Sequence, residues 1–121
     1  MKYPLPVIVS FIIGLALVLF FIIPNIPGPY DDFAKCLNDK GAKMYGTYMC
    51  PHCNDQKALF GSSWKHMNYI ECSNPGQGQA EICAREGIRL YPTWEFADGE
   101  REAGVFTLQE LSERMGCPLE S

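Results

Sequence analysis

Between Tyr3 and Tyr30 the chain has no charged side chain, and from Val7 to Ile23 only Ser10 and Gly14 interrupt a run of large apolar residues. That absence excludes a solvated segment. A membrane-spanning helix needs about 20 such residues, so Leu5 to Ile23 is long enough to cross a bilayer. A small-x-small cleavage site is also missing. The run passes instead into Ile23-Pro24-Asn25-Ile26-Pro27, which favours a retained anchor over a removable signal peptide. Positive charge is scarce: 10 Lys and Arg stand against 14 Asp and Glu, a net charge of −4, and one of the ten, Lys2, precedes the apolar run. Nucleic acid is therefore an unsuitable partner. Lys2 before the run and Asp31 and Asp32 after it predict a cytoplasmic N-terminus and an extracytoplasmic remainder. Internal repeats and low-complexity tracts are absent, so the 121 residues divide into a transmembrane anchor over 1–23, a Pro-rich linker over 24–30 and one domain over 31–121.

Cysteine, by contrast, is plentiful. Six in so small a domain would be out of place in a reducing cytosol, whereas an extracytoplasmic space lets them close disulfides. Two of them form Cys50-Pro51-His52-Cys53. If Ala42 to Tyr48 is a strand and Pro51 to Phe60 a helix, Cys50 lies at the helix N-terminus, where unpaired backbone N–H groups and the helix dipole favour a thiolate. Pro51 then takes the first helical position, where its missing N–H costs little. Cys50 is the expected nucleophile. Cys53, one turn further in, resolves the mixed disulfide, and a partly protonated His52 would add to the stabilisation of the Cys50 thiolate. A stabilised thiolate leaves readily, so the pair favours an oxidant over a reductant. The other uses of such a pair are an inert bridge and half of a zinc site. Zinc needs a second pair or a paired histidine at matching spacing; Cys72 and Cys83 lie too far apart, so no metal is expected.

The remaining chain reads as short alternating elements. Pro24 to Pro29, with three prolines and a glycine, predicts an extended spacer that lifts the domain off the membrane. Asp31 or Asp32 caps a helix carrying Phe33, Cys36 and Leu37, ended by Gly41. After the strand at Lys43 to Tyr48 and the helix behind Cys50 come a strand at His66 to Glu71, a Gly-rich loop and a helix at Gln79 to Glu86. Arg89 to Phe96 and Arg101 to Val105 pair as a hairpin around Ala97-Asp98-Gly99-Glu100, and Thr107 caps a last helix with Leu108, Leu111 and Met115 on one face. His66 has no partner signal and is expected at the surface or a strand edge. Two βα units, a hairpin and a final helix imply an α/β domain: a mixed sheet with helices on both faces. Of the four cysteines outside the motif, Cys72 and Cys83 flank one loop and the next helix, while Cys36 and Cys117 lie on the first and last helices; the predicted bridges are Cys36–Cys117 and Cys72–Cys83. A second redox relay is the alternative role for the latter.

CPHC at the start of a helix, with Tyr91-Pro92-Thr93 opening a later strand, resembles the thioredoxin superfamily. More narrowly, Tyr45-Gly46-Thr47-Tyr48-Met49-CPHC-Asn54-Asp55-Gln56-Lys57, Leu59-Phe60-Gly61, Tyr69-Ile70-Glu71-Cys72 and Tyr91-Pro92-Thr93-Trp94 are similar to the thioredoxin-like domains that accompany bacterial vitamin K epoxide reductase homologues. The resemblance spans about Phe33 to Cys117. It implies a thioredoxin-like fold and a cis bond before Pro92, with the Tyr91 backbone turned toward the thiols to hold an extended substrate beside Cys50. Tyr48, Met49 and Trp94 are candidates for an apolar substrate rim, Trp94 being equally suited to the core. The implied partners are exported proteins with cysteine pairs and a quinone-linked, vitamin K epoxide reductase-like membrane protein that reoxidises the domain; quinone enters only through that partner, and no cofactor binds the domain itself. Met49 departs from the family's usual tryptophan. Met44 stands six residues before Cys50, where many thioredoxins bury a proton-accepting carboxylate, leaving water or Lys57 as candidate proton acceptors for Cys53. Disulfide reduction or isomerisation is the rival enzymatic reading, and a binding module with purely structural disulfides the non-enzymatic one.

Overall fold

The computed structural model describes residues 2–119, Asn25 without its side chain. Its first element, α1 (Leu5–Ile22), is 18 residues long with mean hydropathy 3.0, none of it buried against the rest of the chain. At 1.5 Å per residue it measures about 27 Å, long and apolar enough to span a membrane.

The domain follows as α2 (Asp31–Asp39), β1 (Lys43–Gly46), α3 (Pro51–Phe60), β2 (Asn68–Glu71), β3 (Ser73–Asn74), β4 (Gly78–Gln79), α4 (Glu81–Arg85), β5 (Thr93–Glu95), β6 (Arg101–Ala103) and α5 (Leu108–Met115). The main sheet has the order β2-β1-β5-β6. β1 and β2 run parallel with Met44 opposite Tyr69, joined by the crossover helix α3, while β1–β5 and β5–β6 are antiparallel. Neighbouring residues in a strand point to opposite faces, and the two buried clusters follow from that. Met44 belongs to a larger one with Phe33 and Leu37 of α2, Cys53 and Phe60 of α3, Trp94 and Phe96, and Leu111 and Met115 of α5; Tyr45 belongs to a smaller one with Cys72, Cys83 and Ile88. Helices thus flank a four-stranded mixed sheet, the thioredoxin-like arrangement.

Bridges join Cys36 to Cys117 and Cys72 to Cys83, with Cα–Cα separations of 5.9 and 5.6 Å. A capping box starts α5, the Thr107 hydroxyl accepting from Glu110 N–H and the Glu110 carboxylate from Thr107 N–H. Within the larger cluster one fully buried polar side chain, Gln56, accepts at Oε1 from Trp94 Nε1 at 3.1 Å and Phe106 N at 2.8 Å, and donates from Nε2 to the Phe106 carbonyl at 2.9 Å. Gln56→Leu fills the same space but leaves three buried groups unpaired. It is expected to lower the unfolding free energy by roughly 2–4 kcal/mol in a denaturant titration.

Several expectations need correcting. The segment before the domain is docked, not an extended spacer. Ile23–Asn25 form a 3₁₀ turn, Lys65 Nζ donates to the carbonyls of Pro24 and Ile26 at 3.4 and 3.2 Å, and Tyr30 N–H donates to Ser63 Oγ at 2.7 Å. A Cβ at Gly28 would fall within 2.7 Å of Ser63 Oγ, Asp31 Oδ1 and Ser62 Oγ, so any larger residue there would displace these side chains. Neither Asp31 nor Asp32 is the N-cap. Tyr30 holds that position, and Asp31 instead accepts from Gly28 N–H at 2.9 Å. Burial opposes the Asp31 charge, but Ser63, Gly28 and the nearby His66 and Lys65 charges outweigh it and hold the carboxyl below its usual range. His66 packs against the start of α2: its Nε2 lies 3.3 Å from Asp31 Oδ1, an ion pair when the imidazole is protonated, although neither atom makes a hydrogen bond. Gly61–His66 wind as a 3₁₀ segment, which delays β2 to Asn68. Gly78–Gln79 pair with Ser73–Asn74 as a miniature hairpin, which shortens α4.

Candidate functional site

Cys50 is the N-cap of α3, and Pro51 is its first residue. The turn before it closes by Cys50 N–H donating to the Thr47 carbonyl at 3.2 Å, and Asn54 Nδ2 donates back to the Tyr48 carbonyl at 3.1 Å. Glu71, at the end of β2, ties the same turn to the sheet by accepting from Tyr48 N–H at 3.1 Å. It also accepts from Ser73 N–H and hydroxyl and, at 2.6 Å, from the Tyr69 hydroxyl. Burial would raise the Glu71 carboxyl, but these donors outweigh it and keep it charged below the ordinary carboxylate range.

The thiol pair is free and asymmetric: Cys50 is half-buried, Cys53 fully buried. Cys53 N–H donates to Cys50 Sγ at 3.2 Å, a backbone donor directed at sulfur from a helix's first turn, where it stabilises negative charge. Burial pushes the Cys53 thiol up to about 12, the neighbouring Cys50 adding to the rise, while the Thr47 backbone and the Lys57 charge oppose it. Gly46 makes room for the inner sulfur. A Cβ there would stand 2.9 Å from Cys53 Sγ and 3.2 Å from Tyr69 Cε2.

The Tyr91–Pro92 bond is cis, and the Tyr91 carbonyl accepts from Cys50 Sγ at 3.6 Å. Tyr91 is fixed in turn by Gln79, whose Nε2 donates to its hydroxyl at 2.5 Å and to the Ile88 carbonyl at 2.7 Å. An open cleft of about 410 Å³ runs beside these residues, lined by Thr47, Met49, Ser73, Gln79 and Tyr91. Met49 and Tyr48 are 67% and 54% exposed and stand free at the rim; Trp94 is 0% exposed and bonded to Gln56, which removes it from the rim and places it in the core. His52 is exposed, with Nδ1 3.9 Å from Asp55 Oδ2. Cys72 and Cys83 are both buried, and Cys72 contributes to the cleft wall, which their bridge braces. Among the described residues no cluster of three or more metal-ligating side chains occurs.

Chemically, this is one accessible sulfur with a backbone N–H directed at it, a shielded second sulfur one helical turn behind, and the Tyr91 carbonyl alongside. The chain is similar to the thiol-disulfide oxidoreductase LTO1 of Arabidopsis thaliana. The two are 40% identical over 92 residues, which covers 72% of this chain and 24% of the relative, so the chain spans about a quarter of that protein's length. No family model matches the chain. The sequence reading missed Glu71 and Gln79 as supports of the site. The Glu71 signal is present: period-2 alternation puts Tyr69 and Glu71 on one face of β2, and Gly46, opposite Glu71, immediately precedes the thiol turn.

Proposed function

We propose that this chain is a thiol-disulfide oxidoreductase held at a membrane by α1, with its domain on the extracytoplasmic side. Cys50 exchanges with the cysteines of exported proteins, Cys53 closes and opens the internal disulfide, and a quinone-linked membrane protein of the vitamin K epoxide reductase type takes the electrons away. The domain itself needs no bound cofactor, since the redox group is its own disulfide. The observation that carries the reading is the half-exposed Cys50 sulfur beside the Tyr91 carbonyl, with Cys53 N–H directed at it and Cys53 shielded behind. Six cysteines and two closed bridges suit an oxidising compartment. Anchoring raises the effective concentration of a membrane-bound partner. Similarity to LTO1 supports the exchange chemistry.

The test is a Cys53→Ala chain expressed in cells and isolated with its mixed disulfides intact. Attached exported proteins and an attached membrane protein at Cys50 are the expected result; an unmodified Cys50 contradicts it. Equilibration of the wild type with glutathione then reads direction. The oxidising role expects a potential near or above roughly −200 mV, and one as low as about −270 mV assigns the chain to reduction.

A further inference from the structure

Each half of the exchange passes through a negative charge on Cys53. When a substrate thiolate attacks Cys50 Sγ, the internal S–S bond breaks and its electron pair leaves on Cys53 Sγ. In the reverse step a Cys53 thiolate attacks Cys50 Sγ, re-forms the bond and expels the other sulfur with its electron pair. The proton that Cys53 gains or loses is exchanged with water. That transient charge develops on a fully buried side chain inside an apolar cluster.

The groups facing it are few. Cys50 and Lys57 come from α3 and its N-cap, Tyr69 from β2 with Glu71 behind its hydroxyl, Gly46 from the end of β1 and the backbone of Thr47 from the turn that follows. Lys57 follows Cys53 by four residues, which stacks the two side chains on one helix face. Its ammonium lies 3.8 Å from the centroid of the Tyr69 ring, and that ring's edge flanks Gly46 together with the Cys53 sulfur. Among the described residues no carboxylate forms an ion pair with Lys57. Glu71 holds the Tyr69 hydroxyl and so fixes the ring that carries the lysine. A half-buried cation seated on an aromatic face, unneutralised and one turn from a buried sulfur, has an electrostatic use.

We propose that Lys57, seated on Tyr69, is the cation that stabilises the Cys53 thiolate each time the mixed disulfide on Cys50 forms or resolves. Tyr69 and Glu71 are positioning residues in this arrangement, and Lys57 acts directly on a reacting atom. The proposal rests on the exchange role of the pair given above.

The reduced full-length chain in detergent is mixed with dithiobis(nitrobenzoate). Cys50 releases a first thionitrobenzoate, and attack by Cys53 on the resulting mixed disulfide releases a second, so the second phase reads the Cys53 thiolate alone. Lys57→Met is expected to slow the second phase about three- to tenfold at neutral pH, by an amount that shrinks in high salt, with the first phase changed less than about twofold. Lys57→Arg, which keeps the charge, is expected to stay within about twofold of wild type; Tyr69→Phe, which keeps the ring but loses the Glu71 hydrogen bond that fixes it, falls between wild type and Lys57→Met, and Tyr69→Leu resembles Lys57→Met. A Lys57→Met second phase within twofold of wild type overturns the proposal and leaves the exchange reading intact. A wild-type chain that releases only one equivalent of thionitrobenzoate overturns both.

Discussion

Cys50→Ser is expected to lower oxidation of a dithiol peptide by at least about a thousandfold. Without Cys50 no internal disulfide can form to take the peptide's two electrons, and the remaining free thiol, Cys53, is fully buried. Serine is a good N-cap, so α3 keeps its start and the loss reports chemistry rather than unfolding. The wild-type resolving step carries its own pH signature. Because burial raises the Cys53 thiol above its ordinary range, attack by Cys53 on a Cys50 mixed disulfide is expected to speed up steadily as the pH rises from about 6 to about 8. A plateau below pH 8, or a Cys50→Ser chain with a tenth or more of wild-type activity, would contradict this assignment.

The second large effect concerns stability. Cys36–Cys117 ties the first helix of the domain to the second residue beyond its last helix across a sequence separation of 81. On the chain-entropy account a loop of that length restricts the unfolded chain by about 4.5 kcal/mol, against about 3 kcal/mol for the 11-residue separation of Cys72–Cys83. Stability in a domain of this size totals only about 5–15 kcal/mol. Replacing Cys36 and Cys117 together by alanine is therefore expected to cost about 2–5 kcal/mol and to lower the melting temperature of the domain by about 10–25 °C. Calorimetry or denaturant unfolding of the full chain in detergent measures it. A loss below about 1 kcal/mol would mean that the packing of α2 against its neighbours, not the bridge, holds the two ends together.

Elements with strong local signals are legible in the sequence. α5 is announced by Thr107 and Glu110 at capping-box spacing with Leu108, Leu111 and Met115 behind them, and α3 by Pro51 after a strand. The α/β class follows from the alternation of those elements. What escapes a sequence reading depends on distant segments meeting. Nothing local says that Lys65 and Ser63 will collect two carbonyls and one N–H of the Pro-rich segment 33 to 41 residues earlier, or that His66 will meet Asp31. The fate of Trp94 turned on Gln56, a polar residue on the active-site helix whose burial becomes intelligible only once Phe106 and the indole N–H are beside it. At the site, the placement of Cys50 at the helix start is legible. The brace formed by Glu71, and the seating of Lys57 on Tyr69, require the β1–β2 register to be known.

The claim on which the rest depends is that one sulfur of the pair faces solvent ready to react while the other waits behind it. Brief treatment of the reduced, folded chain with iodoacetamide at neutral pH, followed by mass mapping, tests it most directly. A single adduct on Cys50, with Cys53 unmodified until the chain is unfolded, is the predicted result. Equal modification of both cysteines, or an inert Cys50, contradicts it.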